Sequence, residues 1–135
     1  MSLITGDQVL AHLVGDYFLQ SDWMATNKKD RILPCAVHVL LYTVPFLFLT
    51  LSPLALLAIM GTHFAIDHWG PHRHFIWAKN QLLAPKAARK TWDECQFTGF
   101  SPDRPVWLSV WLSIVVDNTV HLIINGLAIR FLGGV

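Results

Sequence analysis

The chain has 135 residues, of which 53% are hydrophobic and only 14% charged, with a net charge of +1 and a mean hydropathy of +0.44. An ordinary soluble domain carries about 25% charged residues, so the composition points to a membrane protein, and the length to a single domain, 1–135. Two distant cysteines, Cys35 and Cys95, exclude a cysteine-rich zinc module.

The first predicted helix spans 3–23. No Lys or Arg precedes its apolar stretch, so no cleavable signal is expected. The run from Ile32 to Ile66 contains no Asp, Glu, Lys or Arg. At ~1.5 Å per residue it exceeds a ~30 Å hydrocarbon core and must fold back. Leu51-Ser52-Pro53 is the place, because proline suits a first helical turn. That gives a second helix over 34–51, kinked at Pro45, and a third over 53–70, ended by Gly70-Pro71. A fourth spans 105–131. Polar connections join the first pair ("SDWMATNKKDR") and the last pair (71–104), the second with room for a short surface helix. The expected fold is all-α, a four-helix transmembrane bundle.

Nine of the ten basic residues fall in those two connections, and only Arg130 lies elsewhere. By the positive-inside rule both connections are cytoplasmic. The expected location is therefore the inner membrane, multi-pass, with both termini outside. Trp23, Trp69, Trp77, Trp107 and Trp111 cluster near the same helix ends, as an aromatic belt would. Both cysteines lie toward that reducing side, where a disulfide is not expected.

Within the apolar spans lies a polar stripe. Gln8, His12, Asp16 and Gln20 repeat at i, i+4 on the first helix. Ser109, Ser113, Asp117, His121 and Asn125 do so on the fourth. The third adds His63 and Asp67, and the second His38 with Tyr42 one turn on. An ionisable side chain at a bilayer centre costs about 2.5–3.5 kcal/mol, so these groups are expected to face one interior. Imidazole and carboxylate are good ligands for Zn²⁺ and similar divalent ions, and an i, i+4 pair can reach one ion. The expected ligands are His12, His38, His63, Asp67, Asp117 and His121, ample for one ion and numerous enough to hold two. An ion-free hydrogen-bonded network and a proton relay are the alternatives. In "HWGPHRH" (68–74) the simpler reading is a helix end with solvated imidazoles, and "KAARK" (86–90) reads as a patch touching anionic headgroups, with no nucleic-acid motif beside it.

"HLVGDYFLQSDWMA", His38, "HFAIDHW" and "DNTVHL" together resemble the domain-of-unknown-function 3307 family of small phage and bacterial membrane proteins. More distantly, the HxxxD pattern resembles membrane-bound metal-dependent hydrolases. The resemblance implies a buried His/Asp site at His12, Asp16, His38, His63, Asp67, Asp117 and His121.

The expected function is metal-dependent hydrolysis of an amphiphilic lipid or lipid phosphate near the cytoplasmic leaflet. The ion, most simply zinc, would bring the pKa of a water toward ~7. Asp16 would be the general base, and Arg73 and Lys79 would hold an anionic headgroup. No GxSxG or phosphate-cradling glycine loop is present. A metal or proton carrier, and a non-enzymatic phage membrane protein with a structural His/Asp network, are the competing readings. Self-pairing in the bilayer is a further expectation, although no GxxxG pattern marks a face for it.

Overall fold

A computed structural model describes residues 2–134. The described chain is all-α and divides into two compact units, Met1–Trp69 with His121–Val135, and Gly70–Val120.

The first unit begins with α1 (Gly6–Leu13), opened by a capping box. The Gln8 amide N–H donates to Thr5 Oγ1 at 3.3 Å, and the Thr5 N–H donates to Gln8 Oε1 at 3.2 Å. α1 runs into a π-helical turn, Val14–Phe18, whose wider ring is closed by Leu19 N–H on the Val14 carbonyl at 2.9 Å. Ser21 then caps a new short helix, α2 (Asp22–Asn27). α3 covers Ile32–Thr43 and tightens into a 3₁₀ turn over Val44–Phe48. Pro45 is the cause, since it has no N–H and its ring crowds the carbonyl a turn earlier. α4 (Pro53–Trp69) starts at the expected proline, with Ser52 Oγ accepting from Ala55 N–H and donating to the Leu132 carbonyl. It ends at Gly70, which holds a left-handed φ of 60° that suits a residue without Cβ. Ala11, Tyr42, Phe46, Ile59 and Ala128 form the apolar core of this unit.

The second unit holds α5 (Pro71–Leu83), a 3₁₀ turn at Lys86–Ala88, α6 (Trp92–Cys95) and the first part of α7 (Val106–Leu132). Gly99, at φ 84°, lies on the Arg73 backbone and Ile76, where a Cβ would collide. Trp77 Nε1 and Gln81 Nε2 both donate to the Lys90 carbonyl, which fastens the α5–α6 connection. The remainder of α7 belongs to the first unit.

These elements correct the four-helix transmembrane bundle. Among the described residues only α7, at 27 residues, is long and apolar enough to cross a membrane by length and composition. Crossing a ~30 Å core asks for about 20 residues, and α1, α3 and α4 have 8, 12 and 17. The predicted first span fails because the π turn and the Ser21 cap divide it. The predicted second span fails because Pro45 ends regular α-geometry. With them the multi-pass topology and the outward termini lose their support.

Candidate metal centre

Four elements of the first unit bring their polar side chains together. The π turn after α1 carries Asp16, and α3 carries His38 and Tyr42 one turn apart. α4 carries His63 and Asp67, again one turn apart, and the last part of α7 carries His121 and Asn125. Gly15 makes the Asp16 placement possible. A Cβ there would stand 2.8 Å from the Tyr42 carbonyl oxygen and 3.0 Å from its Cα, so the π turn rests directly on the α3 backbone.

One ligand atom each from Asp16, His38, His63 and Asp67 lies within 4.8 Å of the other three, and all four residues are buried. His38 Nε2 is 3.0 Å from His63 Nε2, 3.2 Å from Asp16 Oδ1 and 3.0 Å from Asp67 Oδ2. His63 Nε2 is 3.7 Å from Asp16 Oδ1 and 3.2 Å from Asp67 Oδ2. A tetrahedron of nitrogen and oxygen ligands at zinc, with bonds near 2.0–2.1 Å, has edges of about 3.3 Å. The observed spacing therefore fits a divalent ion, and this cluster could hold one.

Around these four sits a further layer. His63 Nδ1 meets His121 Nδ1 at 3.0 Å, and His121 Nε2 lies 3.4 Å from Asp67 Oδ1. His12 Nδ1 meets Tyr42 Oη at 2.9 Å, and His12 Nε2 lies 3.9 Å from Asp16 Oδ2. Asn125 Nδ2 donates to Tyr42 Oη at 2.6 Å. The Tyr42 ring stacks on His63, with centroids 3.5 Å apart and 14° between planes.

Lys28, in the turn after α2, closes the cluster. Its Nζ is 2.7 Å from Asp67 Oδ2 and 3.8 Å from Asp16 Oδ1. His68 Nδ1–H donates to the Lys28 carbonyl at 2.8 Å and pins this turn to α4. Sequence reasoning took Lys28 only as a topology signal. Its role depends on a chain reversal that no local motif announces.

Burial works against charge here, and specific partners overrule it at three of the four positions. Asp67 is raised by burial but held well below the usual carboxylate range by hydrogen bonds from His121, His38 and His63. Asp16 follows the same pattern, with His38 as its main hydrogen-bond partner. His38 is pushed down by burial, yet its bonds to Asp16 and Asp67 raise it overall. At His63 burial wins and lowers it to about 4, which leaves a neutral imidazole, the form that binds metals. Burial also pushes the Cys35 thiol up to about 11, so it supplies no thiolate at neutral pH. Neither cysteine is in a disulfide.

The other expected site residues lie in the second unit. Asp117 Oδ1 is 2.8 Å from His72 Nδ1. Arg73 donates to the carbonyls of Gly70 and Gln96, and the Lys79 ammonium lies 5.5 Å from the Phe100 ring centroid. The histidines of "HWGPHRH" take separate partners: His68 the Lys28 carbonyl, His72 Asp117, and His74 the Trp92 ring at 4.0 Å. In "KAARK", Arg89 donates to the Ala84 carbonyl and Lys90 pairs with Asp103 at 3.1 Å.

A protein-family model described as "Protein of unknown function (DUF3307)" matches residues 4–95. The matched stretch contains Asp16, Lys28, His38, His63 and Asp67 and stops before Asp117 and His121. It lends no support to the hydrolase resemblance or to a phage origin. No curated protein matches the chain, and neither does any solved structure.

Proposed function

We propose, from the premise that the chain belongs to this family of unknown function, that it is a metal-dependent hydrolase. His38, His63 and Asp67 hold a divalent ion, most simply zinc, and Asp16 serves as general base. The observation that carries the reading is the near-tetrahedral spacing of four buried ligand atoms, three edges of which converge on His38 Nε2 at 3.0–3.2 Å. When bound, the ion supplies Lewis acidity and a nucleophile that ionises near pH 7. His38, His63 and Asp67 would hold the ion, and Asp16 Oδ1 stands at the fourth corner of the same cluster, 3.2 Å from His38 Nε2; as general base it would stay off the ion and take up the proton of a water bound there.

The substrate class follows from the surface of the first unit. Phe18, Phe48, Leu51 and Leu54 are all exposed, Phe48 to 89%. An apolar groove of about 530 Å³ runs between Leu10, Val14 and Leu19 on one side and Val44, Pro45 and Phe48 on the other. An exposed apolar groove of this size suits contact with a lipid or an amphiphile, so an amphiphilic ester or lipid phosphate is the proposed substrate. Lys28 replaces Arg73 and Lys79 as the cation placed to meet an anionic headgroup, because it is the residue that stands on the cluster itself.

A second reading has its own observation. Lys28 already neutralises Asp67 at 2.7 Å, as it would in an ion-free polar network. Elemental analysis of the purified chain separates the two. One equivalent of a transition metal, lost in His63→Ala, supports the metal reading. No metal in the wild-type chain after incubation with zinc leaves the network. Release of fatty acid or phosphate from labelled lipid vesicles then tests turnover, and Asp16→Asn should keep the metal while abolishing turnover.

A further inference from the structure

We infer that the second unit carries a binding pocket for a phosphate group, walled by the later part of α5, the turn over 84–90 and the segment over 99–104, with Arg89, Lys90 and Arg104 as its cations. No residue of the candidate metal centre takes part, so this site does not depend on the reading above.

The pocket has a volume of about 120 Å³. Pockets for drug-sized ligands run to about 300–1,000 Å³, so this one suits a single small group and is too small for a nucleotide. Every charged side chain that lines it is basic: Arg89, Lys90 and Arg104. A concave site lined by one sign of charge concentrates ions of the other. The acids nearby have other partners. Glu94 accepts from the Thr91 N–H and hydroxyl, both at 2.8 Å, and Asp103 meets Lys90 at 3.1 Å and the Ser101 hydroxyl at 3.2 Å. Asp103 thus offsets Lys90, while neither Arg89 nor Arg104 has an acidic partner among the described residues. Cys95 also lines the pocket, and burial and the nearby Glu94 hold its thiol above the usual value, so it adds no negative charge at neutral pH. The wall is held by bonds within the unit. Trp77 Nε1 and Gln81 Nε2 donate to the Lys90 carbonyl at 3.0 and 2.7 Å, and Arg89 Nε donates to the Ala84 carbonyl at 3.2 Å. That last bond uses one guanidinium N–H and leaves the four terminal ones for phosphate oxygens. Arg104 lies 5.9 Å from the Phe100 ring centroid, a contact that uses its charge and not its N–H donors. A lipid headgroup and free phosphate offer the same chemistry to these groups. Leu82 and Leu83 favour the headgroup: they sit in the chain between the lining residues Gln81 and Ala84 and are 80% and 82% exposed. Exposed apolar side chains beside basic ones suit an anionic lipid surface.

The test is calorimetric titration of the full chain in detergent, freed of metal by a chelator, with two probes: inorganic phosphate and short-chain phosphatidic acid. Short-chain phosphatidylcholine, whose phosphate is balanced by its own choline, is the comparison for the second probe. Arg89→Gln and Arg104→Gln, both at exposed positions that leave the fold intact, should each weaken binding about tenfold or more, the loss expected for one charge-assisted hydrogen bond. Lys86→Gln removes the same charge from an exposed neighbour outside the lining and should change affinity less than about twofold, since screened surface charge contributes little. Lys28→Met, in the first unit, should leave binding unchanged. With those losses, binding of both probes assigns the pocket to the phosphate group itself, phosphatidic acid alone to a headgroup, and inorganic phosphate alone to the free anion; each upholds the site. Three results overturn it: no phosphate binding together with phosphatidic acid bound no better than phosphatidylcholine, a loss in Lys86→Gln equal to that in the arginine variants, or loss of binding in Lys28→Met, which would put the anion at the first unit's cluster.

Discussion

At the scale of single residues, the centre is a problem in charge balance. Two buried carboxylates, Asp16 and Asp67, meet Lys28 and a His38 whose affinity for protons is raised. Lys28 offsets part of that negative charge without a metal, so a divalent ion must compete with its ammonium on entering. Removing Lys28 should then favour the ion. Lys28→Met is expected to tighten zinc binding by roughly tenfold or more, the order of a like charge removed from ~4 Å at an effective dielectric of 20 or above. Isothermal titration checks this, and unchanged or weaker binding refutes it. The metal-free stability should carry the signature of His63. Its unfolded value is 6.5 and its folded value about 4. Between them the unfolded chain binds more protons, so His63 makes stability rise with pH across that window. His38, raised in the fold, contributes stability below 6.5 that is lost as pH climbs through its folded value. Denaturant unfolding of the metal-free protein should show both limbs, and His63→Gln should flatten the acidic one.

At the scale of elements, the junction of the π turn with α3 decides whether Asp16 reaches the cluster. Gly15 lies against the Tyr42 backbone, which cannot give way as a flexible side chain would. Gly15→Ala is therefore expected to cost about 1–3 kcal/mol, the usual range for an overpacked site, and to lower turnover because Asp16, the proposed general base, is pushed out. Urea unfolding and the lipid-vesicle turnover assay measure the two effects, and an unperturbed variant would contradict the close approach. Tyr42 joins layers in a different way. Its ring stacks on His63 and its hydroxyl meets Asn125 and His12. Tyr42→Phe keeps the stack but strips two buried groups of their partner, for an expected loss of about 1–3 kcal/mol. The i, i+4 spacing of His63 with Asp67 was legible because α4 is regular. The spacing of His12 with Asp16 was read in the same way, but the π turn begins between them. As a result Asp16 joins the inner four while His12 turns to Tyr42. Gln8, counted in the polar stripe, closes the helix cap instead.

At the scale of the molecule, the first unit buries a polar cluster beside its apolar core and exposes large apolar side chains. His12, His38, His63 and Asn125 are buried, whereas Phe18, Phe48, Leu51 and Leu54 are exposed. The proposed use of this surface is contact with lipid or with the amphiphilic substrate. Replacing Phe48 and Leu51 by serine should reduce co-sedimentation of the full chain with phospholipid vesicles several-fold and leave the zinc content unchanged. Equal vesicle binding would remove the surface from the proposal. Among the described residues, α7 alone has the length and hydropathy to cross a bilayer.

The sequence by itself determined the helical class, the fold-back at Ser52-Pro53, the stop at Gly70 and a set of seven His/Asp side chains that contains the inner four. Each of these depends on chemistry within a turn or two of chain: a proline without an N–H, a glycine free to take positive φ, a carboxylate one helical turn from an imidazole. The number of helices long enough to cross a membrane, the arrival of Lys28 and the separation of inner from outer histidines were decided only by the tertiary structure. Composition registers how apolar a stretch is but not whether a π turn or a serine cap divides it. An imidazole's partner is set by the segment packed across from it, and that partner can lie 58 positions away, as His121 does from His63.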